Sequence, residues 1–318
     1  MDKSIRSQIS FRTEKKGGIV KEILSEEEKK ALSGRKHIVL LIHGYNNDKK
    51  AALEAYNGFK KMQRKIADIE LDKPIFDGRV VEVFWPGDAD WGVLSPLFYM
   101  ESIDMAKKTA WLLADALEEA ARSSGTKFID IVAHSMGCRL TLELLGNLNK
   151  NSDVFIRRVV LMAGAVPVFK LDPNDSRGKL RKAYNNKLRE KALSLYSSDD
   201  IVLSMAFPLG QTVAGIGEGF LPTALGHEKW VDDSVPDNLT QKQNESAGHS
   251  DYWGWNTKAS RQGMYANKEV SDFLHIGSNG SRAVNERRPS ERETSQARRL
   301  EERFLYPDSE SDFKFGYE

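Results

Sequence analysis

Phe128-Ile-Asp-Ile-Val132, followed at once by Ala133-His-Ser-Met-Gly137, is the stretch on which the fold turns. The first five residues are mostly β-branched or aromatic, as a strand requires. Residues 136–148 then carry apolar side chains at helical spacing. A serine on a tight turn between strand and helix needs small residues two positions to either side, because the turn crowds backbone segments together. Ala133 and Gly137 meet that need. Such a turn lifts the Ser135 hydroxyl above the sheet, and the Met136 amide, at a helix N-terminus, can face a developing oxyanion. The bare pentapeptide is common, and an N-capping serine is the plain alternative. The strand before it and the helix after it favour a nucleophile.

Working outward, His37-Ile-Val-Leu-Leu-Ile-His-Gly44 is a continuous aliphatic run stopped by glycine, which suits a central strand covered on both faces. Residues 79–84, 158–162 and 192–196 predict further strands. Helical spacing marks residues 48–69, 103–121, 180–191 and 260–276, and Ser25-Glu-Glu-Glu28 is a helix-start signature for a short helix over 25–32. Strands alternating with helices predict an α/β fold, a mainly parallel central sheet with helices on both faces. Residues 1–34 read as a polar N-terminal extension and 35–276 as the domain. Residues 204–246, with several glycines and prolines, read as a lid-like excursion or simply a long surface connection. Residues 277–318 are rich in Arg, Glu and Ser and read as a charged, partly disordered tail.

Composition narrows the function classes. A net charge of +1 gives no global field pointing to nucleic acid or an anionic membrane. The longest apolar run, 38–42, is far short of a membrane span, so no transmembrane segment is expected, although peripheral membrane contact remains compatible. The single cysteine, Cys138, forms no internal disulfide, and the first residues lack the apolar core of a secretion signal; a cytoplasmic location is the expectation. No Cys or His spacing suggests a zinc site, and Gly215-Ile-Gly217-Glu-Gly219 does not open a helix after a strand, so it is discounted as a phosphate loop.

The remaining chemistry follows the chain order Ser, acid, His. Tyr196-Ser-Ser-Asp-Asp200 ends a strand and offers two carboxylates; Asp200 has the preferred spacing and Asp199 is the alternative acid. Of the histidines that follow, His249 lies in a polar loop before the last helix, where a base belongs. His227 sits in the excursion and His275 late in the helix, as a surface or capping residue. After His43-Gly44, the Tyr45 amide offers a second oxyanion donor, and Asn46 and Asn47 could tether the loop through side-chain hydrogen bonds. Cys138, one turn beyond Ser135, reads as packing. Trp85, Trp91, Phe98, Tyr99, Trp253 and Trp255 could wall an apolar acyl pocket, and ordinary packing accounts for each of them as well.

The set His43-Gly-Tyr-Asn46, Trp85-Pro-Gly87, Ala133-His-Ser-Met-Gly137, Tyr196-Ser-Ser-Asp-Asp200 and His249-Ser-Asp-Tyr-Trp253 resembles the α/β-hydrolase superfamily. It is most similar to a poorly characterised branch of esterase- or lipase-like domains of unknown function, over residues 36–276. Ala133 departs from the more frequent glycine. The resemblance implies a triad of Ser135, Asp200 (or Asp199) and His249, an oxyanion hole of the Tyr45 and Met136 amides, and no cofactor. The expectation is a serine hydrolase cleaving a carboxylic ester, small or lipid. An acyltransferase or amidase on the same residues, and a non-catalytic binding module with the tail as its recognition element, are the alternatives.

Overall fold

The aliphatic run at 37–42 becomes the strand around which everything else is arranged. The computed structural model describes residues 7–13, 20–45, 48–69, 75–76, 78–87, 96–214, 218–231, 233–254 and 260–275; the side chains of 96–100 and 213 lie outside this description. Asn46, Asn47, Trp91, Trp255, the glycines at 215 and 217 and the tail from 277 fall outside it, as do the side chains of Phe98 and Tyr99.

Seven strands are described: β1 (Gln8–Ser10), β2 (His37–Ile42), β3 (Arg79–Phe84), β4 (Lys127–His134), β5 (Val154–Met162), β6 (Leu188–Tyr196) and β7 (Leu239–Gln243). They form one sheet in the order β1-β3-β2-β4-β5-β6-β7. Every strand pairing is parallel, with Leu40 opposite Val81 on one side and Ile131 on the other. β2 and β4 are buried along almost their whole length, as strands covered on both faces must be.

The helices are α1 (Glu26–Ser33), α2 (Lys49–Ile66), α3 (Pro96–Ser124), α4 (Met136–Asn147), α5 (Lys179–Lys187), α6 (Phe207–Val213) and α7 (Arg261–Leu274). α3 packs against α1, α4 and α6, and α5 against α4, as one layer; α2 and α7 pack together as the other. The helix signatures operate as the sequence predicts. Ser25 and Glu28 form a reciprocal capping box on α1, and Asp48 caps α2 through the Ala51 amide at 2.7 Å. On α2 the buried stripe is Ala52, Ala55, Tyr56, Phe59 and Met62. No described helix is long and apolar enough to cross a membrane.

Three elements depart from the expectations. The segment read as an extension supplies β1, an edge strand whose Ile9 and the following Phe11 are buried, with the Phe11 amide on the Phe84 carbonyl at 2.8 Å. Only three residues long, it leaves too little alternation to be seen in the sequence. β7, Leu-Thr-Gln-Lys-Gln, arises inside the excursion, polar because it is the opposite edge of the sheet. β6 starts at Leu188 within a stretch read as helical, since Arg189, Glu190 and Lys191 are exposed where the strand enters the sheet.

In a parallel sheet all carboxyl ends face one side. The loops after β2, β3, β4, β5 and β6 therefore converge there, joined by the 244–254 loop after β7, where an open α/β sheet places its ligand.

Candidate active site

β4 runs into α4 through Ser135, which adopts φ 54° and ψ −124°, a conformation that L-residues seldom occupy. The surroundings enforce it. The Ser135 amide donates to the Met162 carbonyl at 2.9 Å, while its carbonyl accepts from Ala165 and Cys138. The small residues are required by contact: a Cβ on Gly137 would lie 2.5 Å from the His43 carbonyl oxygen, and one on Gly44 would lie 2.7 Å from the Ser135 Cβ. The turns after β2 and β4 are therefore pressed together, which brings Gly44, and with it Tyr45, beside Ser135. Met136 opens α4 and is buried.

The three residue types singled out in the sequence meet in one chain of hydrogen bonds. His249 Nδ1–H donates to Asp200 Oδ2 at 2.8 Å, leaving Nε2 to accept the Ser135 hydroxyl, also at 2.8 Å. Asp200, four residues past β6, is fully buried, and its other oxygen accepts the Leu203 amide at 3.0 Å. That contact fixes the carboxylate plane. Asp199 turns away and accepts the Ser246 amide at 3.1 Å, holding the start of the loop that carries His249. His227 and His275 are not in this chain: His227 is 3.6 Å from Glu228, and His275 caps α7 in the left-handed region at φ 55°.

Two histidines overlooked by the sequence reading support this arrangement. His134 Nε2–H donates to the His249 carbonyl at 2.7 Å, and its ring centroid lies 5.0 Å from that of His249. Burial, reinforced by the neighbouring His249, lowers its pKa to about 3, so it stays neutral and its donor stays in place. His43, also buried, donates from Nδ1 to the Gly44 carbonyl and accepts the Trp85 amide at Nε2. Burial lowers its pKa to about 4. The only sequence signal for either was a polar ring at the carboxyl end of a strand.

Trp85 and Trp253 are core residues here, not pocket walls. Trp85 stacks on His43 and donates from its indole to the His43 carbonyl, and Trp253 packs edge-on against Tyr56 and Phe59. Together they seat the 43–45 and 249–254 loops on α2. Cys138 is buried against the Ala133 and Met162 carbonyls, and burial raises its thiol pKa, so it packs rather than reacts.

The excursion is pinned to the helix that begins after Ser135. Arg139, four residues after Ser135, forks onto both oxygens of Glu218 at 2.7 and 3.1 Å, and its Nε holds Glu143 at 2.8 Å. Lys170 adds a contact to Glu218 at 3.4 Å. Burial works against ionisation of Glu218, yet Arg139 holds its pKa down to about 2. Among the described residues no group of His, Cys, Asp and Glu is arranged to hold a metal ion.

No curated protein matches the chain. Solved structures with a similar trace include TT1662 from Thermus thermophilus, at 17% identity and TM-score 0.42 over 76% of this chain and 88% of that one. An esterase/lipase from an uncultured bacterium matches at 11% identity and TM-score 0.35 over 76% of each chain. At such scores neither bears on activity. The sequence profile described as an alpha/beta hydrolase of unknown function (DUF900) matches residues 21–249, which run from before α1 to the histidine of the hydrogen-bonded chain. The protein therefore belongs to this family of α/β hydrolases.

Proposed function

We propose that the protein is a serine esterase in which Ser135 attacks the carbonyl carbon of a carboxylic ester. The observation that carries this reading is the Ser135–His249–Asp200 chain, 2.8 Å at each link, set on a strained turn at the carboxyl end of β4. As the Ser135 oxygen bonds to carbon, its proton passes to His249 Nε2, and Asp200 stabilises the resulting imidazolium through Nδ1–H. The Met136 and Tyr45 amides receive the carbonyl oxygen as it gains charge. The carbon–oxygen bond to the alcohol then breaks, the alcohol leaves with the proton from His249, and an acyl-Ser135 ester remains. Water, deprotonated by His249, releases the acid and restores the serine.

Labelling by a fluorophosphonate probe tests it. Wild type is expected to label, and Ser135→Ala and His249→Ala to lose labelling and ester turnover with an unchanged circular dichroism spectrum. Undiminished turnover in Ser135→Ala would overturn the assignment.

A further inference from the structure

We propose that the outer face formed by Ile201, Met205, Leu209, Phe220 and Leu221 seats on a lipid surface, and that the ester brought to Ser135 is an acyl ester drawn from that surface. The second half rests on the esterase reading above; the first does not.

The segment leaves β6 at Asp200, makes a π-helical turn over Val202–Ala206, and continues as α6. Its inner face is what a core requires: Leu203, Phe207 and Gln211, each four residues apart, are buried, with α6 against α3. Its outer face should then be polar, since a helix with one side in water keeps its polar residues there. It is not. Ile201, Met205 and Leu209, again four apart, are 70%, 65% and 55% exposed. Phe220 and Leu221 continue the patch at 80% and 50%, and the Leu221 amide ties them to α6 through the Thr212 hydroxyl at 2.9 Å. Single exposed apolar residues are ordinary, but five on one short, connected segment form a patch of the kind that marks a docking surface.

Charge and position decide the occupant. From residue 201 to 225 the only ionisable side chain is Glu218, and Arg139 turns it inward. The segment therefore offers no charge of its own for a protein partner to pair with. It also begins one residue after the carboxylate that holds His249. A protein or a second copy seated there would crowd the approach to Ser135, whereas a lipid surface would be the source of the ester. Because the face is uncharged, seating should depend little on salt and need no anionic lipid.

The test is flotation of the full chain with phosphatidylcholine vesicles at low and high salt, for wild type, Met205→Glu and Leu209→Glu. It runs alongside hydrolysis of a long-chain diacylglycerol in those vesicles and of a short-chain soluble ester. Both substitutions lie in solvent, so fluorophosphonate labelling and soluble-ester turnover should stay at the wild-type level. Vesicle binding and diacylglycerol hydrolysis should each fall at least about tenfold. A wild type that does not float, or variants that bind and hydrolyse like wild type, would overturn the proposal. So would a wild-type dimer, seen by sedimentation, that either variant dissolves, since the face would then belong to a second copy. A wild type that floats but neither labels nor cleaves any ester supports the docking and overturns the Ser135 reading instead.

Discussion

Replacing Ser135 with glycine should make the protein more stable than replacing it with alanine, although both remove the Ser135 hydroxyl. At φ 54° and ψ −124° the backbone of residue 135 holds a conformation open to glycine and strained for any residue with a Cβ. Such strain amounts to about 1–3 kcal/mol. Both variants lose the same 2.8 Å hydrogen bond to His249, so the comparison between them cancels that loss. Glycine gives back about 0.5–1 kcal/mol through the greater freedom of the unfolded chain. The net advantage of Ser135→Gly over Ser135→Ala is therefore about 1 kcal/mol, or about 2–4 °C in melting temperature for a domain this size. Thermal melts at matched scan rates, with urea midpoints as a second measure, read the difference, and fluorophosphonate labelling should be absent from both. If Ser135→Gly melts at or below Ser135→Ala, the turn is not strained as described, and sequence alone does not account for its geometry.

Five further outcomes follow from the same contacts. Gly137→Ala forces a methyl to within 2.5 Å of the His43 carbonyl oxygen and 2.7 Å of that of Ile42; it should destabilise by about 1–3 kcal/mol and abolish labelling. Gly146→Ala on the same helix meets nothing closer than 3.7 Å and should stabilise by up to about 1 kcal/mol in the same urea series. Arg139→Met takes the forked partner from the buried Glu218 carboxylate, leaving it the looser Lys170 and Lys107 contacts at 3.4 and 3.5 Å, and should lower stability by up to about 3–5 kcal/mol, with much of the loss recovered in Arg139→Met/Glu218→Gln. His134→Leu keeps ring-sized bulk but releases the His249 carbonyl; kcat should fall by about one to two orders of magnitude while KM moves little. Acid should weaken the fold before carboxylates protonate. His43 and His134 refuse protons until about pH 4 and 3, while unfolded histidines accept them near 6.5. The unfolded chain thus binds the extra protons, so stability is full above pH 6.5 and falls below it, approaching ~1.4 kcal/mol per pH unit for each histidine. Urea midpoints from pH 7 to 5 should show that slope, and His43→Gln should reduce it.

The fold was legible where burial on both faces leaves a composition that water would not permit. β2 from Ile38 to Ile42 is an unbroken apolar run and β4 is apolar apart from Lys127, Asp130 and His134, because helices cover them above and below, and α2 shows its buried stripe at the helical period. The edges were not legible for the complementary reason. β1 has three residues and β7 has five mostly polar ones, since an edge strand has a single neighbour and must not invite another. Their membership in the sheet is fixed by pairing with β3 and β6, which is information held elsewhere in the chain.

The site divides along the same line. Ser135, Asp200 and His249 could be picked out because each follows a strand or precedes a helix in an order that the chemistry imposes. What holds them could not. His134 and His43 fall inside the motifs already quoted, but their partners are main-chain atoms, the His249 carbonyl in one case and the Gly44 carbonyl and Trp85 amide in the other. A bond to a carbonyl leaves no complementary side chain for the sequence to display. Arg139 and Glu218 do display one, a cation and an anion, but 79 positions apart among many other charges they cannot be matched until the chain is folded. On the lipid-docking proposal, that pair bears on function as well as stability. By turning the one ionic side chain of the 201–225 stretch onto the helix that begins after Ser135, it leaves the segment's outer face without charge. The apolar stripe outside is therefore tied to a specific buried contact. Arg139→Met should loosen Glu218, whose remaining contacts are Lys170 at 3.4 Å and Lys107 at 3.5 Å, and weaken vesicle flotation as well as the fold, whereas Arg139→Met/Glu218→Gln should restore flotation.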